Sequence, residues 1–261
     1  IKDADKKEKL AHLILLAENN TGYKNIIKIC SKSWTEGYYH KPRADHDLLL
    51  KYHEGIIALS ACIGGELPQA VLKGDLEQAR KIIRFYMDTF GKDNYFIELQ
   101  NHGLSEEAAV RPVLAELAKE YGLGLVATND FHYTRKKDAG SQEIKLCIST
   151  GNTMDDPGRF RFANEEFYCK SGEEMKALLG NFPGAIENTA RIAERCNVTF
   201  TFGKHKLPSF TVPEGETAAT YLRRLCEEAL PERYPNYGNK EKERLDYELG
   251  VINQMGFADY F

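Results

Sequence analysis

Short apolar runs alternate with amphipathic segments along most of the chain. Four runs have the length of buried strands, at 10–17, 56–61, 95–99 and 124–128. Segments with helical spacing lie around them, at 23–34, 48–53, 68–73, 75–90, 105–121 and 138–150. Asp45 and Asp75 stand where helix N-caps are expected. This alternation predicts an α/β fold with mostly parallel strands.

The pattern changes near residue 170, just after a short strand predicted at 167–169. Four amphipathic helices are predicted beyond it, at 173–179, 185–196, 217–230 and 240–255. We therefore expect two parts, an α/β domain at 1–170 and a mainly helical segment at 171–261.

Composition places the chain among ordinary globular proteins. It has 261 residues, 42% of them hydrophobic and 28% charged, and a net charge of −4. No stretch approaches the ~18 consecutive apolar residues of a membrane span. The near-neutral charge argues against a dedicated basic nucleic-acid-binding module, although a local basic patch is compatible with it. The six scattered cysteines form no CxxC pair, which favours buried thiols in a reducing compartment.

Neither end of the sequence has the features of a natural terminus. The chain begins without methionine, and its charged start lacks the apolar core of a signal peptide. An apolar element begins close to the other end, after Met255. We expect the sequence to be a fragment of a longer protein.

Potential metal ligands follow three of the predicted strands. In barrels and open α/β sheets, functional residues gather beyond the carboxyl ends of strands. Cys62 follows the second strand, His102 the third, and Asp130 and His132 the fourth. Residues two apart in an extended segment point to the same side, so Asp130 and His132 could bind one metal ion. The alternative is that Asp130 caps the next segment and His132 lies at the surface.

Three other features are ambiguous. His12 opens an apolar strand and is also typical of a hydrogen-bonded core histidine. Glu98 is either a ligand or a solvent-facing strand residue. The basic residues of 135–137, with Arg159 and Arg161, are either phosphate contacts or an exposed helix start. Dinucleotide-binding, P-loop and serine-hydrolase motifs are absent from the sequence.

Several segments together resemble the PHP (polymerase and histidinol phosphatase) domain of bacterial replicative DNA polymerase III alpha subunits. They are HLILLA at 12–17, TGYKN at 21–25, LSACIGGE at 59–66, FIELQNHG at 96–103 and VATNDFHY at 126–133. IAERCNV at 192–198, Leu207-Pro208 and VINQMGF at 251–257 resemble the stretch that leads into the polymerase palm. The resemblance covers essentially the whole chain in order.

The resemblance implies an incomplete, distorted (β/α)7 barrel with a metal site at its strand ends, followed by a mainly helical segment. The implied metal ligands are His12, Cys62, His102, Asp130 and His132. Zinc or manganese suits such mixed ligands, and magnesium serves polymerisation in the family. The family's opening HxH motif and its palm carboxylates have no counterpart in this sequence, so no residue here is expected to catalyse polymerisation.

The implied function is DNA replication by template-directed nucleotidyl transfer in the bacterial cytoplasm. The PHP part would be a metal-dependent phosphoesterase, with 3′–5′ exonuclease activity as a candidate. DNA, deoxynucleoside triphosphates and other replicase subunits are the implied partners, and no membrane is implied. Two alternatives stay open: a free-standing PHP phosphatase, and a non-catalytic PHP module that braces a polymerase. The helical tail past residue 200 weighs against the free-standing phosphatase.

Overall fold

A computed structural model describes residues 10–204 and 209–261 of the chain. Leu207 and Pro208, which contribute to the resemblance, lie outside the described residues. The chain divides into two compact units, the first ending at Thr199 and the second comprising Phe200–Phe261. None of the described helices is both long and apolar enough to cross a membrane.

Four strands form one sheet in the order β1-β2-β3-β4. Their bounds are Ile14–Ala17 (β1), Ile56–Leu59 (β2), Tyr95–Leu99 (β3) and Gly124–Ala127 (β4). The α/β class is confirmed, and β2, β3 and β4 are parallel as predicted. The prediction is wrong for the first pair, because β1 runs antiparallel to β2. Two helices rather than one separate these strands, so the chain can re-enter the sheet in the opposite direction.

Helices fill the connections at the positions that the periodicity predicts. In the first unit they are Asn20–Thr35 (α1), His46–Lys51 (α2), Glu66–Leu72 (α3), Leu76–Phe90 (α4), Ser105–Tyr121 (α5), Ala139–Thr150 (α6), Gly172–Leu179 (α7) and Glu187–Arg195 (α8). The predicted N-caps are confirmed: Asp45 accepts from Leu48 N, and Asp75 accepts from Gln78 N. The predicted strand at 167–169 contributes only an isolated bridge between Tyr133 and Tyr168.

The sheet is covered by side chains on both faces, as parallel strands require. Ile56 and Ile97 belong to the large core cluster on one face. Ile57 and Phe96 belong to a smaller cluster on the other face, which Ile192 of α8 completes. Because β3 is buried along its whole length, any polar residue in it is withdrawn from solvent.

The compact first unit extends past the boundary predicted near residue 170. Helices α7 and α8 lie beyond residue 170, yet Leu179 and Ala185 are fully buried in the large core cluster. Asn188 of α8 also donates a hydrogen bond from Nδ2 to the carbonyl oxygen of Leu125 in β4, at 2.7 Å. These contacts, which the periodicity of the helices cannot show, place the division of the compact units after Thr199.

The second unit contains Ala218–Arg233 (α9) and Asn239–Gln254 (α10). The two helices are joined by an ion pair between Arg223 Nη1 and Asp246 Oδ1 at 2.6 Å. Leu249 is buried, whereas α9 has no buried residue. The second unit is therefore held largely by surface contacts within the described residues.

Candidate functional site

The turn after β2 brings Cys62 and His12 together. Ala61 has a φ of +64°, a left-handed conformation that residues other than glycine seldom adopt. Beyond it, Gly64 N donates a hydrogen bond to Cys62 Sγ at 3.4 Å. His12 N donates to the Gly64 carbonyl oxygen at 3.0 Å, and His12 Nδ1 lies 3.2 Å from Cys62 Sγ. Two of the predicted ligands are thus in direct contact.

The Cys62 thiol is held in its neutral form by its surroundings. Burial raises the pKa of this thiol, and the negative charges of Asp130 and Glu98 raise it further. The hydrogen bond from Gly64 opposes this effect without cancelling it. A bound cation would reverse the balance, because a metal ion stabilises the thiolate that ligates it.

Glu98 is a buried carboxylate at the centre of the strand ends. Its Oε1 accepts hydrogen bonds from Gln100 Nε2 at 2.9 Å and from Thr128 Oγ1. Its Oε2 is buried and has no hydrogen-bond partner among the described residues. Burial raises the pKa of Glu98, the hydrogen bonds from Thr128 and Gln100 oppose the rise, and the charge of Asp130 adds to it.

The solvent-facing reading of Glu98 is therefore wrong. Alternation along a strand suggests a solvated face, but β3 is covered on both faces. The available signal was a single acidic residue within the otherwise apolar strand YFIEL.

Asp130 and His132 follow β4 and are exposed. The charge of Asp130 acts on both Cys62 and Glu98, which places it at the same strand ends. His132 Nδ1 lies 2.8 Å from the carbonyl oxygen of Asp130, so Nδ1 carries the proton and Nε2 keeps its lone pair. A metal ion shared by the Asp130 carboxylate and the His132 ring stays a prediction.

His102 has a structural partner of its own. Its Nδ1 lies 2.6 Å from Oε1 of Glu107, and its backbone N donates to Oε2 at 2.6 Å. Burial opposes ionisation of Glu107, but these bonds outweigh it and hold the pKa of Glu107 below its ordinary value. The fully buried ring of His102 stacks on Phe167 at 4.5 Å, and Nε2 has no partner among the described residues. The opposite side of the site, at 5.8 Å from Phe167, is occupied by the His132 ring.

These donors fit part of a metal site. Imidazole, thiol and carboxylate suit first-row divalent ions, and the unpartnered Glu98 Oε2 is an acceptor that a cation or its bound water would satisfy. Among residues 10–204 and 209–261, however, no three His, Cys, Asp or Glu side chains lie close enough to hold a metal ion. The five predicted ligands therefore do not form one complete centre within the part of the chain that the structure describes.

Comparison with known proteins gives two family matches and full-length-scale similarity to one class of protein. Residues 2–102 match the PHP domain, and residues 220–261 match the bacterial DNA polymerase III alpha NTPase domain. The chain is 45% identical over 251 residues to the DNA polymerase III subunit alpha of Treponema pallidum, covering 96% of the chain and 22% of the relative. It is 46% identical over 233 residues to that of Thermus aquaticus, covering 86% of the chain and 19% of the relative.

A third relative extends the similarity to a distant bacterium. The chain is 39% identical over 266 residues to DNA polymerase III subunit alpha of Escherichia coli K12, covering 97% of the chain and 23% of the relative. The chain thus spans about a fifth of the length of the curated relatives it matches. The motifs, the α/β fold and these matches agree, and the chain belongs to the family of bacterial DNA polymerase III alpha subunits.

Proposed function

We propose that the chain supplies a metal-dependent phosphoesterase site to a replicative DNA polymerase. The observation that carries the proposal is the gathering of Cys62, Glu98 and Asp130 at the ends of three parallel strands, with His12 against Cys62. The parent reaction is template-directed nucleotidyl transfer with magnesium, and DNA, deoxynucleoside triphosphates and other replicase subunits are its partners. Zinc or manganese is the metal of the PHP site, and 3′–5′ hydrolysis of DNA is its reaction.

Each residue has a definite task in this proposal. A bound divalent ion would supply a nucleophilic hydroxide at neutral pH and stabilise the leaving oxygen. His12 and Cys62 hold the ion from the β2 side, while Asp130 and His132 offer a carboxylate and an imidazole from the β4 side. Glu98 accepts a hydrogen bond from bound water through its free Oε2. The proposal requires further ligands, because catalytic sites of this type use at least three protein ligands.

The test uses the complete polymerase in which this sequence occurs. His132→Ala is expected to abolish release of a labelled 3′ nucleotide and to leave primer extension unchanged, because the two reactions use separate metal sites. Both rates are measured on one preparation. His53→Ala is the matched control, since the His53 ring hydrogen-bonds the Leu50 carbonyl oxygen at 2.8 Å, away from the strand ends. Unchanged exonuclease activity in His132→Ala would remove His132 from the site.

The second candidate function is a non-catalytic brace for the polymerase. It is favoured by the observation that no three potential ligands converge among the described residues. Metal analysis of the purified polymerase separates the two candidates, because a phosphoesterase retains zinc or manganese that Cys62→Ala loses, whereas a brace retains none. The free-standing phosphatase is not favoured, because residues 220–261 match a polymerase domain.

A further inference from the structure

Helix α1 carries a straight apolar stripe on its exposed surface. Tyr23, Ile27, Cys30 and Trp34 follow one another at intervals of four, three and four residues, which places them on one side of the helix. Tyr23 is 39% exposed, Ile27 46% and Trp34 61%, and Cys30 is exposed as well. The side that packs on the protein is a different one, where Gly22, Asn25 and Ile29 are buried. The stripe is therefore additional to the face that holds α1 in the fold.

The stripe ends in a flat aromatic surface. The Trp34 ring stacks on that of Tyr38, with centroids 5.7 Å apart and planes at 19°. Tyr38 is 56% exposed, so both rings keep open faces. Tryptophan and tyrosine are the residues that most often dominate binding energy at protein interfaces, because each buries a large area for little conformational entropy.

Positive charge runs beside the stripe. Helix α1 contains Lys24, Lys28 and Lys32 at intervals of four residues and contains no aspartate or glutamate. Within the described residues only Lys32 pairs with a carboxylate, that of Glu36. Because the chain as a whole has a net charge of −4, this positive strip is a local feature that favours a negatively charged partner.

We propose that this surface is a docking site for an acidic amphipathic helix of a partner protein. We call it the α1 face, and it comprises Tyr23, Ile27, Cys30, Trp34 and Tyr38 with Lys24 and Lys28. Intervals of four and three residues are those of a seam between two packed helices, so an incoming helix can place its apolar residues along the stripe. Its glutamates or aspartates then meet the lysines. The site is independent of the strand ends and uses none of the proposed metal ligands.

Other occupants fit the α1 face less well. A second copy of the chain would bring the same lysines into the contact from both sides, which like-charge repulsion disfavours. Single-stranded DNA would use the aromatic rings and the lysines. It would leave the aliphatic middle of the stripe, Ile27 and Cys30, without a matching group.

The probe is a synthetic amphipathic helix of about 21 residues, with leucines at seam spacing and glutamates beside them. The comparison peptide carries lysine in place of each glutamate. Trp34 is the only tryptophan of the chain, so its fluorescence reports on the α1 face alone. We expect a saturable change in Trp34 emission with the glutamate peptide, weakened by salt, and no change with the lysine peptide.

Variants of the 261-residue chain identify the contacts. Ile27→Asp is expected to weaken binding of the glutamate peptide at least tenfold. Ile148→Asp is the matched control, because Ile148 is 79% exposed on α6, and it is expected to leave binding unchanged. Replacing both Lys24 and Lys28 by glutamate keeps the stripe and is expected to exchange the preference, so that the lysine peptide binds instead.

Three results would overturn the proposal. One is the absence of any Trp34 response to the glutamate peptide while circular dichroism shows a folded chain. Another is a peptide preference that stays the same after Lys24 and Lys28 are reversed in charge. The third is displacement of the glutamate peptide by a single-stranded oligonucleotide or by self-association of the chain, which would assign the α1 face to DNA or to a second copy.

Discussion

Alanine at position 22 would test how tightly α1 is held against the turn that precedes β2. A Cβ built on Gly22 lies 1.7 Å from the carbonyl oxygen of Gly55 and 2.5 Å from its carbonyl carbon. Real Cβ contacts are essentially never closer than 3.0 Å, and both obstructing atoms belong to the backbone, so no side chain can swing aside. The first turn of α1 or the turn at Gly55 must move.

The cost of this movement can be estimated from its parts. Overpacking of this kind costs about 1–3 kcal/mol, and a rigid main-chain obstacle places it at the upper end. The shift also strains the hydrogen bond from Gly22 N to Asn19 Oδ1 (3.1 Å) and that from Glu18 N to Gly55 O (2.9 Å), each worth about 1 kcal/mol. Alanine regains about 1 kcal/mol of helix propensity. We expect Gly22→Ala to lower the free energy of unfolding by about 3 kcal/mol.

The assay is urea unfolding followed through Trp34 fluorescence and circular dichroism. Gly140→Ala is the matched control in the same compact unit, because nothing lies within 4 Å of a Cβ built there. That control is expected to stabilise the chain by about 0.4–1 kcal/mol, the opposite sign. A Gly22→Ala variant within about 0.5 kcal/mol of the parent would refute the close approach of α1 to Gly55.

Two further predictions concern buried and half-buried ion pairs. The hydrogen bond to Glu66 raises the pKa of His46 above 6.5, while in Glu66 burial is outweighed by the bond from His46, so the pKa of Glu66 falls below 4.5. The His46 contribution is complete below pH 6.5 and lost as pH rises through its raised pKa, so His46→Gln should destabilise the chain more at pH 5.5 than at pH 8.5; equal losses in urea unfolding at the two values would contradict this. Glu107→Gln leaves one buried donor of His102 without an acceptor and should cost about 2 kcal/mol in thermal or urea unfolding, whereas exposed Glu106→Gln should cost under about 0.5 kcal/mol.

The sequence by itself determined the secondary structure and the class of fold. Strands β2, β3 and β4 lie within a residue or two of the apolar runs, and Asp45 and Asp75 cap the helices they were predicted to cap. Such signals are local, because burial periodicity and capping act within a few residues of the chain. The motifs around Cys62 and Asp130 likewise named the strand ends at which the candidate site lies.

Only the tertiary structure decided the direction of β1 and the partners of the polar groups. Nothing in the run at 10–17 specifies whether it pairs parallel or antiparallel, since direction depends on the whole connection to β2. His102 was a predicted ligand, but its Nδ1 is taken by Glu107, five residues away, once α5 begins. Glu98 joined the site because helices cover both faces of its strand, and long-range packing of this kind leaves almost no mark on the neighbouring residues.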